Sequence, residues 1–306
     1  MTTRLTRRAA MITAAGTLAA PALMPQMAAA TERPMPPAIP LYRRMRLGDF
    51  TVTTLLTAAQ PMDNPQGTFG MNARPEDFAA LSAAHFIPAD RGMSFHVPTL
   101  VDTGSEVILF DTGINPGAIT AALAAAGHAP EDVSLVVITH MHGDHIGGLH
   151  GDGPTFTKAR YVTGQAEFDH WNASGNETFA AKVKPLAAEF GLIGDGDSPA
   201  LGITAMLAPG HTPGHMTYLL ESGGRQLMLT ADTANHYVWS VGQPDWQVRF
   251  DMDKALAAET RRRILGQIAE QKIPFIGYHM PFPGVGFLQA EGPGYRFVPA
   301  SYQLDL

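Results

Sequence analysis

The sequence predicts an α/β protein of the α+β type, with two β-sheets packed face to face and helices outside. One domain over residues 42–306 accommodates it. Three observations carry that expectation. Short apolar, β-branched runs closed by glycine outnumber helical patches. The strands-then-helix rhythm occurs in both halves of the chain. Hydrophobic residues make up 45% of the 306 residues and charged ones 16%, the balance of a folded globular chain.

The elements follow in order. Residues 47–56 (LGDFTVTTLL), 96–104 (HVPTLVDTG) and 106–113 (EVILFDTG) read as buried strands. Residues 116–127 (PGAITAALAAAG) read as an Ala-rich helix stopped by Gly127. Residues 133–140 (VSLVVITH) form another buried strand, which ends where the histidines begin. ARYVTG, a helical pair over 165–190, and three strands in ITAMLAPG, HMTYLLES and RQLMLTAD come next. A long amphipathic helix over 253–270 precedes a last strand, PFIGYH at 274–279.

Residues 1–30 carry Arg4, Arg7 and Arg8, a small apolar run from Ala9 to Leu23, and a Met27-Ala28-Ala29-Ala30 end. This pattern reads as a bacterial export signal, and Thr6-Arg7-Arg8 points to the twin-arginine route, although Ala10 stands where that signal usually has Phe. Gly16 and Pro21 interrupt a run already short for a membrane span. The expected location is therefore periplasmic, with residues 31–41 a Pro-rich lead-in.

Composition narrows the chemistry. Asp and Glu total 28 against 21 Lys and Arg, and three of those bases lie in the export signal. So acidic a body repels phosphate backbones, which argues against a nucleic-acid substrate. With no cysteine, disulfides, thiol nucleophiles, Cys-zinc sites and iron–sulfur clusters are excluded.

The strongest motif is Thr139-His140-Met141-His142-Gly143-Asp144-His145, four potential metal ligands within six residues after a buried strand. Residues two apart at a strand end point the same way, so His140 and His142 reach one ion. The turn through Gly143 lets Asp144 and His145 face a second ion about 3.5–4 Å away, the spacing of two-metal hydrolytic sites. Later strand ends offer His211 in PGHTPGH, Asp232 in LTAD and His279 in IGYH.

HMHGDH, PGHTPGH, the Asp232 strand end and the terminal His279 resemble the metallo-β-lactamase superfamily. Further stretches, YRRMRLGDFTVTTL, LVDTGSEVILFDTG and HMPFPGVGFLQAEGPGYRFVP, are similar to its methyl parathion hydrolase and lactonase-like group. The resemblance implies a four-layer αββα sandwich with a dinuclear site along one edge of the sheets. It places His140, His142 and His211 on one ion, Asp144, His145 and His279 on the other, and Asp232 between them. Asp232 and Asp144 would then frame a bridging hydroxide as catalytic groups. The ions implied are two divalent metals, zinc first, with manganese, cobalt or iron also compatible with nitrogen and oxygen donors.

Departures from sister families shape the substrate expectation. Class B β-lactamases often use a cysteine that this chain lacks. Acyl-homoserine lactonases often have Tyr three residues after the bridging Asp, where Asn235 stands here. The expected function is hydrolysis of neutral, apolar lactones, aryl esters or organophosphate triesters. The alternatives are a mononuclear-iron redox enzyme and a non-catalytic periplasmic binding protein. Neither a nucleic-acid nor a membrane partner is expected, and the resemblance implies a homodimer, with the apolar segment around 61–95 as its candidate interface.

Other residues carry two readings each. Asp111 reads as a carboxylate orienting a ligand histidine or as a turn former before Thr-Gly. His215 reads as a support for the site or a cap of its turn. Trp171 reads as a pocket wall or a core aromatic, while Phe282, His236, Phe95 and, more weakly, Trp239 are pocket candidates. His85, His96, His128, His150 and His170 have no ligand-like context. Arg261-Arg262-Arg263 reads as the solvated face of its helix.

Overall fold

The computed structural model describes residues 40–304; the expected export signal and most of the expected lead-in, through residue 39, lie outside the described residues. β1 (Tyr42–Leu47) turns into β2 (Phe50–Leu55), and β3 (Ala58–Asp63) leads through α1 (Pro75–Ala84) to its partner β4 (Arg91–His96). Then come β5 (Thr99–Asp102), β6 (Val107–Phe110), α2 (Pro116–Ala125), β7 (Leu135–Ile138) and the short α3 (Gly143–Ile146). β8 (Arg160–Gly164), α4 (Gln165–Ser174), α5 (Glu177–Lys182) and β9 (Phe190–Ile193) end the first half. The second half holds β10 (Ile203–Leu207), β11 (Met216–Ser222), β12 (Arg225–Ala231), α6 (Trp239–Gly242) and α7 (Lys254–Gln271). It closes with β13 (Phe275–Gly277), β14 (Val285–Glu291) and β15 (Gly294–Pro299).

Seven strands form one sheet in the order β1-β2-β5-β6-β7-β8-β9, and six form another in the order β10-β11-β12-β13-β14-β15. Strand alternation explains the layers. Leu135 and Val137 of β7 join Leu227 and Leu229 of β12 in a core between the sheets. Val136 and Ile138 point the other way, onto Ile119 and Leu123 of α2. Met228, between Leu227 and Leu229, packs on Ile264, Leu265 and Ile268 of α7. Helix, sheet, sheet and helix therefore stack as the expected αββα sandwich.

Several boundaries differ from the sequence expectation. The 47–56 stretch is a hairpin corner, because Gly48 turns with φ +57° where a Cβ would sit 2.3 Å from the Ser222 carbonyl oxygen. The strand expected over 96–104 is split, with β4 ending at His96 and β5 beginning at Thr99. β3, α1, β4, β14 and β15 fall where no element was expected. Pro61 and Gly92 break the strand pattern of the β3–β4 pair, which is a separate two-stranded sheet.

Parallel pairing of β6, β7 and β8, and of β12 with β13, sends several strand ends to one edge of the sandwich. At the end of β12 a register shift and a left-handed Ala231 (φ 43°) turn the chain directly before Asp232. The loops leaving those ends carry the chemistry.

Candidate metal centre

His140 and His142 leave β7, Asp144 and His145 lie in α3, His211 sits between β10 and β11, Asp232 follows β12 and His279 follows β13. All seven converge. His211 Nε2 and His279 Nε2 each lie 3.2 Å from Asp232 Oδ2, and His145 Nε2 is 3.3 Å from Asp232 Oδ1. His140 Nε2 is 3.9 Å from Asp232 Oδ2, and His142 Nδ1 is 3.0 Å from His211 Nε2. Asp144 Oδ2 faces His279 Nε2 at 3.3 Å and His145 Nε2 at 3.6 Å. Asp232 thus stands amid donors from both expected ligand sets.

Supporting hydrogen bonds fix which nitrogen looks inward. His145 Nδ1 pairs with Asp111 Oδ2 at 2.8 Å, His211 Nδ1 with Asp251 Oδ1 at 2.9 Å, and His279 Nδ1 with the Phe95 carbonyl at 2.7 Å. In each case Nδ1–H donates and Nε2 is left to face the centre. Asp111, in left-handed backbone at φ 60°, also accepts from the Thr139 N–H and hydroxyl. Asp111 thus turns the chain and braces His145 with one carboxylate. At His215, Nδ1 meets the Ala208 carbonyl and Nε2 accepts from the Asp232 N–H.

The buried atoms His140 Nε2, His145 Nε2 and Asp232 Oδ1 have no hydrogen-bond partner. Burying such groups unpaired costs about 1–3 kcal/mol each, and a cation among them removes that cost. Three tight donor groups occur among the described residues: His140, His142 and His211; His140, His145 and Asp232; and His96, Asp144 and His279. Neutral imidazoles and carboxylates suit divalent transition metals. The donor set fits a metal centre.

Electrostatics agrees. Burial opposes ionisation of Asp232, but His279 and His145 beside it hold its carboxyl well below the usual range. Burial also opposes protonation of His279, yet Asp232 and Asp144 raise it to about 10, and Asp232 with Asp251 raises His211 to about 9. Burial and the neighbouring His211 push His142 down to about 3. Without metal, protons on His211 and His279 balance the carboxylates.

Two supports went unnoticed in the sequence. Glu167 is fully buried on α4 and accepts from Met141 N–H, Trp171 Nε1, the Thr212 hydroxyl and Gly214 N–H at 2.6–2.9 Å. It clips the His140-His142 loop to the His211 loop. Only glycine fits at 214, where a Cβ would lie 2.0 Å from Glu167 N. Arg261 is the second, and it corrects the solvated-face reading. It is buried, donates to the Thr233, Pro244 and Trp246 carbonyls, and pairs with Asp251 Oδ2 at 2.7 Å. No local signal separates it from Arg262 and Arg263, both of which lie on the exposed side.

A cavity of about 470 Å³ opens over Asp144, Asp232 and His279, lined among others by Pro61, Met62, Phe69 and Phe250, with Gln60, Ser94 and Asn235 as polar points. The expected pocket aromatics are elsewhere. Trp171 is core, its indole bonded to Glu167 and its ring centroid 5.6 Å from that of His142. His236 is buried, accepts from the Val238 and Trp239 N–H groups through Nδ1 and stacks on Trp239 at 3.8 Å. Trp239 in turn bonds Ser82 and joins the Phe69–Phe78 cluster. Phe95 contributes its carbonyl to His279, its side chain lining a separate apolar cavity with His236. Phe282 is partly buried and does not line the cavity. Conversely His96, which lacked ligand context in the sequence, lines it.

Comparison with known proteins accords with this geometry. The metallo-beta-lactamase superfamily matches residues 91–267. A probable metallo-hydrolase of Bacillus subtilis, YybB, is 31% identical over 129 residues, 39% of this chain and 53% of its own length. An N-acyl homoserine lactonase of Bacillus cereus is 26% identical over 161 residues, 52% of this chain and 61% of its own. The chain thus spans just over half the length of these two relatives. Among solved structures, the dizinc quorum-quenching lactonase AidC is 25% identical, with a TM-score of 0.79 over 87% of this chain and all of AidC. The hydrolase AbOPH, 23% identical with a TM-score of 0.80 over 87% of this chain and 99% of its own, shares the fold.

Proposed function

The chain belongs to the metallo-β-lactamase superfamily, and we propose that it is a dinuclear-metal hydrolase of neutral, apolar lactones and aryl esters. The observation that carries this reading is the set of orphaned donors, His140 Nε2, His145 Nε2 and Asp232 Oδ1, beneath a largely apolar cavity. His140, His142 and His211 would hold one ion, Asp144, His145 and His279 the other, with Asp232 shared. When bound, two such ions supply a water acidic enough to attack at neutral pH and a Lewis acid for the carbonyl oxygen.

The chain's own residues do the rest. Met62, Phe69 and Phe250 offer apolar surface to an acyl or aryl group, and among the described residues no Lys or Arg lines the cavity to favour an anion. Gln60 and Ser94 can orient a carbonyl or an amide from the β3–β4 wall. Asn235 donates from Nδ2 to Asp232 Oδ2 at 2.9 Å and holds that carboxylate in place. It brings no phenol to protonate a leaving group, which favours substrates that leave as stabilised enolates or phenolates. Lactone chemistry is also supported by the likeness to the Bacillus cereus lactonase and to AidC. Organophosphate triesters, neutral and with good leaving groups, would be a secondary substrate of the same centre. The Arg4, Arg7, Arg8 and Ala9–Leu23 pattern supports export, with the domain over 42–306 working in the periplasm.

The test is metal content per chain of protein purified from the periplasm, with hydrolysis measured on the same sample. Dihydrocoumarin, an acyl-homoserine lactone, a nitrophenyl ester and methyl paraoxon form the panel. Two ions per chain with lactone or aryl-ester turnover is the expected result. One iron and no hydrolysis would overturn the reading in favour of redox chemistry.

A further inference from the structure

We propose that His96 is an additional protein ligand of the second ion, alongside Asp144 and His279, and ties the substrate-pocket wall to the metal centre. The inference rests on the metal-centre reading above and adds a donor that the sequence motifs do not contain.

His96 is the last residue of β4, 6% exposed. Its Nδ1 is buried and has no hydrogen-bond partner. That atom lies 3.4 Å from Asp144 Oδ2, the oxygen that His279 Nε2 approaches at 3.3 Å. Neighbouring donors on one ion, with bonds of about 2.0–2.1 Å, stand roughly 3–3.4 Å apart across the angles of four- to six-coordinate geometry. Both separations match that spacing. The donor atoms of His96, Asp144 and His279 all lie within 4.8 Å of one another. A buried, unpaired imidazole nitrogen at ligand distance from a carboxylate is costly unless something fills the gap.

The backbone around it is already fastened to the centre. The Phe95 carbonyl accepts from His279 Nδ1 at 2.7 Å, and Val97 N–H donates to the Tyr278 carbonyl at 3.1 Å. Tyr278 in turn donates its hydroxyl to the Asp144 carbonyl at 2.6 Å. His96 is therefore held against both Asp144 and His279 by its neighbours on either side. The same hairpin supplies Gln60, Pro61, Met62 and Ser94 to the cavity wall. Metal binding through His96 would fix that wall.

The absence of cysteine makes a clean spectroscopic test possible. Thiolate bound to Co(II) gives a near-ultraviolet charge-transfer band, and the unaltered chain has no thiol to produce one. The longer metal–sulfur bond, about 2.3 Å against 2.0–2.1 Å for nitrogen, offsets part of the shorter side chain's lost reach. The cobalt-loaded full chain is compared with its His96→Cys and His96→Ala variants. Expected are the charge-transfer band in His96→Cys, altered d–d absorption in His96→Ala, and at least tenfold weaker binding of the second cobalt in His96→Ala. Amide exchange of residues 58–63 and 91–96 should slow on metal loading in the unaltered chain and less so in His96→Ala. A missing band together with an unchanged d–d spectrum in His96→Ala would overturn the proposal while leaving the metal centre intact. Failure of the unaltered chain to take up cobalt would overturn the metal-centre reading itself, and this inference with it.

Discussion

Asp111 and His145, 34 residues apart, meet through a 2.8 Å contact between Oδ2 and Nδ1. The same carboxylate accepts from the Thr139 N–H and hydroxyl, one residue before His140. One buried acid thus orients donors of both expected ions. Asp111→Asn keeps the shape and tolerates the left-handed backbone but removes the charge. Loss of such a partner typically costs 10–100-fold in metal affinity. Chelator competition should show that loss with an unchanged far-ultraviolet dichroism spectrum. Wild-type affinity in the variant would mean that Asp111 serves only its turn.

Asp232→Ala and His279→Ala are each expected to lose most activity and one metal per chain while the fold survives. Metal analysis, dichroism and turnover on one preparation check this. If both variants kept two metals and full turnover, the ligand assignment would be wrong.

Arg261 and Arg262 are neighbours with opposite expectations. Arg261→Ala would leave Asp251 charged and buried, at a cost of about 3–5 kcal/mol. It should also loosen His211, whose Nδ1 depends on Asp251. Arg262→Ala, on the exposed side, should change stability by no more than about 0.5 kcal/mol. Denaturant unfolding of both separates them, and equal small effects would remove the structural role given to Arg261.

Trp171 and Phe250 divide stability from specificity. Trp171→Ala should destabilise by about 3–5 kcal/mol, since its ring is core and its indole satisfies Glu167. Phe250 is half exposed at the cavity. Phe250→Ala should therefore raise KM for long-chain or aryl substrates with little change in unfolding midpoint. The reverse pattern would put Trp171 back in the pocket.

Metal uptake should release protons. In the metal-free protein His279, raised to about 10, and His211, raised to about 9, are protonated at pH 7 and must deprotonate to coordinate. Affinity should therefore fall as pH falls. Calorimetric titrations in two buffers of different ionisation enthalpy should give different heats, and equal heats would contradict the scheme.

How much was legible in the sequence follows from distance along the chain. His140, His142, Asp144 and His145 share six residues after a buried strand, so local spacing alone brings them together. His211, Asp232 and His279 were readable because each ends an apolar run, and strand ends collect on one edge of a sheet. The two-sheet sandwich was readable from the strands-then-helix rhythm of both halves, whereas the faces of the uniformly apolar Leu135–Ile138 and Leu227–Leu229 were decided by packing. The three-dimensional packing alone decided the rest. His96 and Asp251 reach the centre from β4 and from the loop before α7, neither of which carries a ligand pattern. Arg261 and Arg262 are adjacent on one helix, and which of them is buried depends on where Asp251 and the Thr233, Pro244 and Trp246 carbonyls lie. The pocket aromatics were misplaced for the same reason: an aromatic side chain near a ligand in sequence packs wherever apolar surface and a hydrogen-bond partner are available. For Trp171 that partner was Glu167, inside the core.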